Sequence, residues 1–181
     1  MISSEQYIKQ SIDNLKPSHG SIPAEWGNIQ EELLAMIQQD QSLANNSEII
    51  CSIVIFASKL TDSNAFRVLT SCISKGIGNS HSLWFSAIAL VLERQKNYVS
   101  ALSTFDQASR IHAEPYPFLD LKFNEFKRRM NERFLSIINQ KGDFNNVFTL
   151  DLGTLDGVEY IFNNGTIVTN QNPVKQLKLL Q

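Results

Sequence analysis

The stretch Ser82–Ile111, SLWFSAIALVLERQKNYVSALSTFDQASRI, decides the fold of this chain. In its first half apolar residues recur every three or four positions, which is the spacing of one face of an α-helix. They are Leu83, Phe85, Ala87, Ile88, Leu90, Val91 and Leu92. The polar segment Arg94–Asn97 interrupts this pattern, and a second helical pattern follows it. The stretch therefore predicts two helices that fold back on each other.

The second of these helices carries a small–large–small pattern, with Ala101, Phe105 and Ala108 at i, i+4 and i+7. Small residues let a neighbouring helix come close, and the aromatic ring fills the space between the turns. This is the pattern of the second helix in a tetratricopeptide unit, whose repeat is about 34 residues. The same spacing occurs about one repeat earlier, at Ala65, Leu69 and Cys72. The chain is thus predicted to be a short helical repeat.

The remaining helical patterns complete the repeat. They cover residues 3–15, 24–39, 49–60, a segment that Asp62 or Ser63 caps, and a long segment from the prolines at 115 and 117 to about 139. Ser47 and Glu48 are expected to cap the helix at 49–60. We predict an all-α, tetratricopeptide-like, right-handed helical repeat of about seven helices over residues 3–139. Residues 140–181 are expected to form a separate C-terminal extension.

This extension has a different pattern. Alternating residues at 148–152, and short apolar runs at 158–162 and 166–168, are separated by Gly-containing turns. These are signals for β-hairpins. The extension is therefore predicted to be hairpin-like or loosely ordered.

Composition and net charge argue against nucleic-acid-binding and membrane-binding proteins. The chain has 181 residues and a net charge of −2, from 16 Lys plus Arg against 18 Asp plus Glu. Nothing here favours nucleic acid as a partner, because its binding needs a basic surface. The N-terminus has no apolar signal region, and no apolar run approaches about 18 residues, so no membrane partner is expected. Cys51 and Cys72 lack metal-ligand spacing and are predicted to be reduced, packed thiols of a cytosolic or nuclear protein.

No motif indicates catalysis or a cofactor. Gly76-Ile-Gly78 lacks the strand and the GK[ST] of a phosphate loop, so it is interpreted as a helix stop. His19, His81 and His112 have no partners at metal-ligand spacing. The kinase motifs are absent, and the basic stretch at 122–133 is interrupted by glutamates, as in a solvated helix face. We predict no enzyme activity, no metal and no cofactor.

The helix at 49–60 is apolar almost all round. Such a helix is either central in its domain or keeps one face for a partner. The sequence leaves these two alternatives open.

A family resemblance appears from residue 76 onward. In order come Gly76-Ile-Gly78, Trp84-Phe85, Glu93-Arg-Gln-Lys-Asn-Tyr98, the Ala101/Phe105 pair, Ala113-Glu-Pro115 and a helix with Phe126-x-x-Arg129. This order is similar to the N-terminal homology region of the BUB/BubR-family mitotic spindle checkpoint proteins. Tyr7-Ile8 could stand for the opening pair of that region. The resemblance is specific over 76–129 and weak before it.

The resemblance implies a non-catalytic module that docks on short helical motifs of the outer-kinetochore scaffold, which in the family bind the convex surface of the repeats. It also implies a nuclear, kinetochore location, and we expect a monomer. On the third helix, Ile53, Val54, Phe56 and Leu60 are our candidates for partner contact. They do not match the groove residues of the family one for one.

Two features of the family are missing from this sequence. It has no Lys-Glu-Asn degradation box and no kinase domain, so it resembles the kinase-type N-terminus more, as an excised fragment or a short divergent protein. Two other functions stay open. A generic tetratricopeptide adaptor would bind peptide motifs of another complex. A small helical enzyme would need titratable residues clustered in a cleft.

Overall fold

The computed structural model describes residues 3–141 and four short strand segments beyond them, with side chains described over residues 3–133. This part of the chain contains seven α-helices. They are α1 (Ser4–Asp13), α2 (Glu25–Gln39), α3 (Ser47–Ser58), α4 (Asp62–Ser74), α5 (Ser82–Arg94), α6 (Tyr98–Arg110) and α7 (Tyr116–Lys141). A 3₁₀ turn at Gln41–Asn45 joins α2 to α3. None of these helices is both long and apolar enough to cross a membrane.

The C-terminal strands form one antiparallel sheet in chain order. They are β1 (Thr149–Leu155), β2 (Val158–Asn163), β3 (Thr166–Thr169) and β4 (Leu177–Lys178). The register between β1 and β2 shifts between Asp151 and Gly153. Strand β1 passes beside α6. The alternating segments of the sequence coincide with β1, β2 and β3, except for Phe148, which lies outside the described residues.

The helices pair as the repeat pattern predicts: α1 with α2, α3 with α4, and α5 with α6. The first helices of successive pairs also contact each other, from α1 through α3 and α5 to α7. Hydrogen bonds between the pairs join positions one repeat apart, such as Asn45 to Asn79 and Ser47 to His81, each separated by 34 residues. The tetratricopeptide-like helical repeat is therefore confirmed. Helices α1, α3, α5 and α7 form the first-helix layer, and α2, α4 and α6 form the second-helix layer.

The small–large–small residues lie where the helices pack. Ala101, Phe105 and Ala108 are buried on α6, as are Ala65, Leu69 and Cys72 on α4. Phe105 stacks on the ring of Phe123, with 5.0 Å between centroids. Close packing at the small residues explains why the two sets share one spacing.

Three helix starts follow the rules of N-capping, two of them one residue earlier than predicted. Ser3 and Gln6 form a capping box at α1. At α3 the cap is Asn46 and not Ser47 or Glu48, because the Asn46 side chain accepts from the N–H groups of Glu48 and Ile49. At α4 the cap is Thr61, whose hydroxyl accepts from the N–H of Asn64. The predicted residues are in each case the first helical ones.

Gly76 and Gly78 end α4 as a helix stop, which confirms the interpretation of the Gly-Ile-Gly sequence. Both have positive φ, 84° and 73°. The N–H of Ile77 bonds the carbonyl of Cys72, and that of Gly76 bonds the carbonyl of Ile73, which is the Schellman pattern. At Gly78 a Cβ atom would lie 2.9 Å from the ring of Trp84, so the backbone needs glycine there for space as well as for conformation.

Two apolar residues are more exposed than the pattern predicts. Leu90 was expected in the inward stripe of α5, yet it is 47% exposed. Cys51 was expected to be packed and is exposed, whereas Cys72 is buried. Both exposed residues lie in the first-helix layer, on α5 and α3. The sequence gives the apolar character of these positions, but their exposure depends on how the repeats stack.

Candidate protein-binding site

Residues of the family-like signature meet in space. Glu93, near the end of α5, has a side chain only 4% exposed. It accepts two hydrogen bonds from Arg129 of α7, from Nε at 2.8 Å and from Nη2 at 2.7 Å. This bidentate geometry matches the planar guanidinium to the carboxylate and raises the pKa of Arg129. Glu93 and Arg129, both residues of the signature, therefore join α5 to α7.

The aromatic residue of the same turn takes part in this network. Arg133 donates to the hydroxyl of Tyr98 at 2.6 Å and lies over its ring, 5.1 Å from the centroid. Arg133 also lies 3.6 Å from the carboxylate of Glu93. Part of the basic stretch on α7 thus holds the repeat together. The other part is a solvated face, with exposed pairs at Lys122–Glu125 and Arg128–Glu132.

The Ala-Glu-Pro segment joins the start of α7 to the start of α5. The N–H of Ser82 donates to the carbonyl of Glu114 at 2.8 Å, and the N–H of Glu114 donates to the carbonyl of Ser80 at 2.9 Å. Ala113 is fully buried. The signature residues of this region therefore have structural roles, and contact with a partner must be sought elsewhere.

The four predicted contact residues are mostly in the core, and Leu60 lies just after α3, which runs from 47 to 58 and not from 49 to 60 as predicted. Ile53, Phe56 and Leu60 are buried, and the ring of Phe56 packs against Trp26 of α2 at 5.1 Å. Val54 is partly buried at the edge of the core. Helix α1 packs on α3, and Trp26 of α2 covers Phe56. Partner contact through the four residues stays a prediction, and the structure leaves Val54 as the accessible member.

The exposed face of α3 carries apolar residues that the prediction missed. Ile55 is 50% exposed, and Cys51 lies one turn earlier on the same face. Because α3 is apolar on almost all sides, the spacing of its apolar residues does not show which side of the helix is exposed. The apolar surplus was visible in the sequence, but the side on which it lies was not.

The described residues hold one buried thiol and one cavity, and they contain no cluster of metal ligands. No three His, Cys, Asp or Glu side chains there come together as metal ligands. Burial raises the pKa of the Cys72 thiol to about 12, so this thiol is unreactive. A cavity of about 460 Å³ runs along α6. Its described lining residues are Val99, Leu102, Ser103, Asp106, Gln107 and Arg110.

Comparison with known proteins gives matches in structure only. No protein-family model matches the chain, and no curated protein matches it in sequence. The fold is similar to that of the conserved N-terminal domain of the mitotic checkpoint component BUB1, with a TM-score of 0.50 and 17% identity over 59% of this chain. It is also similar to a chain in the crystal structure of the mitotic checkpoint complex, with a TM-score of 0.51 and 16% identity over 70% of this chain.

The matched region takes up 56% of the first of these chains and 57% of the second, so this chain spans a little over half of either. The predicted similarity to the checkpoint proteins is confirmed at the level of the fold. The chain has the helical-repeat fold of the N-terminal domain of a mitotic checkpoint protein.

Proposed function

We propose that this chain is a non-catalytic protein-interaction module of the spindle assembly checkpoint. It binds a short amphipathic helix of the outer-kinetochore scaffold and acts at kinetochores, in the nucleus and in the cytoplasm when not bound there. The accessible part of α3 takes part in this binding.

One observation carries the proposal. The residues that give the sequence its similarity to the checkpoint family, Glu93 and Arg129 foremost, pair with each other in a fold shared with the BUB1 N-terminal domain. Two residues of the signature that are 36 positions apart in the sequence are thus in direct contact in the structure. A generic helical repeat needs neither this buried ion pair nor the Ala-Glu-Pro junction.

The surface chemistry of α3 supports a helical partner. Helices bind helices through apolar anchors spaced by one turn, laid into an apolar groove. Cys51 and Ile55 are exposed one turn apart, with Val54 partly buried beside them, while Ile53 and Phe56 hold the helix in the core. A peptide-carboxylate clamp of a generic adaptor would need Lys, Arg and Asn, and the exposed part of α3 at 51, 54 and 55 has none of these.

Fluorescence anisotropy with labelled peptides tests the proposal. The peptides are helical segments of an outer-kinetochore scaffold, compared with unrelated C-terminal peptides of equal length. We expect binding of scaffold peptides only. Val54→Glu is expected to weaken this binding at least tenfold and to leave the circular dichroism spectrum unchanged.

Phe56→Glu serves as the contrasting variant. It places a charge in the core and is expected to unfold the protein, because a buried unpaired carboxylate is very costly. Preferential binding of the unrelated peptides would favour the generic adaptor. If neither peptide class bound, the proposal would be wrong.

A further inference from the structure

The cavity along α6 lies on one side of this helix. Its lining residues at 99, 103, 106 and 110 follow one another at i, i+4, i+7 and i+11, and residues at these spacings share one face of a helix. The residues at 102 and 107 flank that face. We call the surface made of Val99, Leu102, Ser103, Asp106, Gln107 and Arg110 the α6 outer face.

The rest of the repeat packs on the opposite side of α6. Ala101, Phe105 and Ala108 are buried there, and Phe105 stacks on Phe123 of α7. At 3.6 residues per turn, these three core residues lie about half a turn from the α6 outer face. Among residues 3–133, those that line the cavity all belong to α6. A second wall of the cavity therefore has to come from a later part of the chain.

Strand β1 is in position to form this wall. It is the element of the extension that contacts α6. From residue 99 to residue 110 the α6 outer face extends about 17 Å along the helix axis. The seven residues of β1, Thr149–Leu155, extend about 20 Å as a strand. The strand is therefore long enough to cover the α6 outer face from one end to the other.

The position of β1 in its sheet gives a reason for this contact. Strand β1 is at the edge of the sheet, where its strand partner is β2. An edge strand offers backbone N–H and C=O groups to other chains, and proteins protect such edges with Lys, with Pro or with a covering helix. The β1 sequence TLDLGTL contains neither Lys nor Pro. Contact with α6 therefore protects β1, and the same contact covers the α6 outer face.

The extension and the end of the repeat that it contacts have opposite charge. Residues 142–169 contain four acidic residues and no Lys or Arg. Residues 94–141, which include α6 and α7, contain nine Lys or Arg against five Asp or Glu. Opposite charges attract at short range, and salt weakens the attraction between exposed groups. The contact of the extension with α6 is therefore expected to depend on ionic strength.

We propose that residues 149–169 are a releasable strap, which covers the α6 outer face and is held there in part by charge attraction. In place, the strap closes this face to other proteins, and its release opens the face. A ligand of the α6 outer face has to displace β1 before it can bind. This inference concerns a surface other than α3 and does not rest on the proposed function.

Thiol labelling of the full chain tests the inference. Ser103→Cys places a thiol on the α6 outer face, and Ser109→Cys places one on α6 away from that face; both serines are partly buried. Each is combined with Cys51→Ser, because Cys51 is exposed, whereas Cys72 is buried and its thiol pKa is raised to about 12. When sodium chloride rises from about 0.05 to about 0.5 M, we expect maleimide labelling at 103 to become at least threefold faster. Labelling at 109 should change less than 1.5-fold.

Neutralising the extension provides a second test at low salt. With Asp151→Asn, Asp156→Asn and Glu159→Gln together, labelling at 103 is expected to become at least threefold faster, and labelling at 109 is expected to stay unchanged. Circular dichroism of each variant confirms that the helical repeat is folded.

Three outcomes would overturn the inference. Labelling at 103 that responds neither to salt nor to the neutralised extension would show that no strap is released from this face. Equal acceleration at 103 and 109 would indicate a general loosening of α6. Labelling at 103 that slows as the protein concentration rises would show that the extension covers α6 of a second copy.

Discussion

His81 caps helix α5 through a ring nitrogen that has to be free of a proton. Its Nδ1 accepts a hydrogen bond from the N–H of Leu83 at 3.2 Å. Its Nε2 faces the hydroxyl of Ser47. Burial lowers the pKa of His81 below its ordinary value, since the charged ring is poorly solvated there. Protonation at Nδ1 would also remove the cap, because the nitrogen would become a donor facing a donor.

The stability of the protein is therefore expected to fall in mild acid. The unfolded chain binds a proton at His81 below about pH 6.5, whereas the folded protein binds it only at a lower pH. Stability from this residue is complete above pH 6.5 and is lost as the pH falls through the folded pKa. Urea unfolding between pH 7 and pH 5 measures the slope. In His81→Asn, which keeps a capping side chain without titrating in this range, the slope should be smaller; an unchanged slope would contradict the assignment to His81.

Also at the scale of the residue, α6 and α3 differ in how well their sequences predict which side chains are buried. In α6 the alternation of small, large and polar residues fixes the buried face, so Ala101, Phe105 and Ala108 were predicted correctly. In α3 nearly every position is apolar, so Ile53 and Ile55 look equivalent in the sequence. The structure buries the first and exposes the second. Which of two similar side chains is free depends on the packing of α1 and α2, and not on the residue itself.

At the scale of the element, the pairing of Glu93 with Arg129 fixes the position of α7. The carboxylate is 4% and the guanidinium 32% exposed. Burial of a charge is tolerated only with a partner that satisfies its hydrogen bonds, and this pair provides two. Helix α7 also packs on the core through Leu119 and Phe126, which are buried, and through Phe123 and Met130, which are partly buried.

Breaking this pair should destabilise the protein far more than breaking a surface pair. Glu93→Gln is expected to lower the free energy of unfolding by about 2 to 4 kcal/mol, since it leaves Arg129 without its counterion. Glu132→Gln, which removes the exposed pair with Arg128, should change it by less than about 0.5 kcal/mol. Denaturant unfolding measures both. Equal effects of the two substitutions would show that the buried pair has no special role.

A double variant identifies the cause of the loss. With Glu93 and Arg129 both replaced by Leu, no charge is left unpaired, and most of the stability lost in Glu93→Gln is expected to return. Additive losses in the double variant would indicate that each side chain matters through packing alone.

At the scale of the whole molecule, the helices form one continuous core. Its buried residues begin at Ile8 and end at Phe126, and they come from all seven helices and the Gly76–Gly78 turn. Repeats of this kind stabilise each other through neighbouring interfaces, because one helical pair cannot bury its apolar face alone. The strands of the extension come after this core in the chain.

We therefore expect residues 1–141 to fold without the extension. A chain ending at Lys141 should keep the helical circular dichroism signal and unfold in one cooperative transition, since it retains every core residue that the structure describes. Loss of a cooperative transition would show that strand β1, which passes beside α6, completes the fold. The boundary at residues 139–140 predicted from the sequence stays a prediction until this is measured.

The sequence by itself determined the helical repeat, its period and the glycine stop before α5. It also determined that the chain has no basic net charge of the kind that nucleic-acid binding needs. These features depend on local spacing, on backbone conformation and on composition, all of which are present in the order of the residues. The tertiary structure alone decided that Glu93 meets Arg129, that Phe56 is core and that Ile55 is exposed. The hairpin at 82–111 specifies two helices, but only the stacking of its neighbours determines which of their apolar faces remains in solvent.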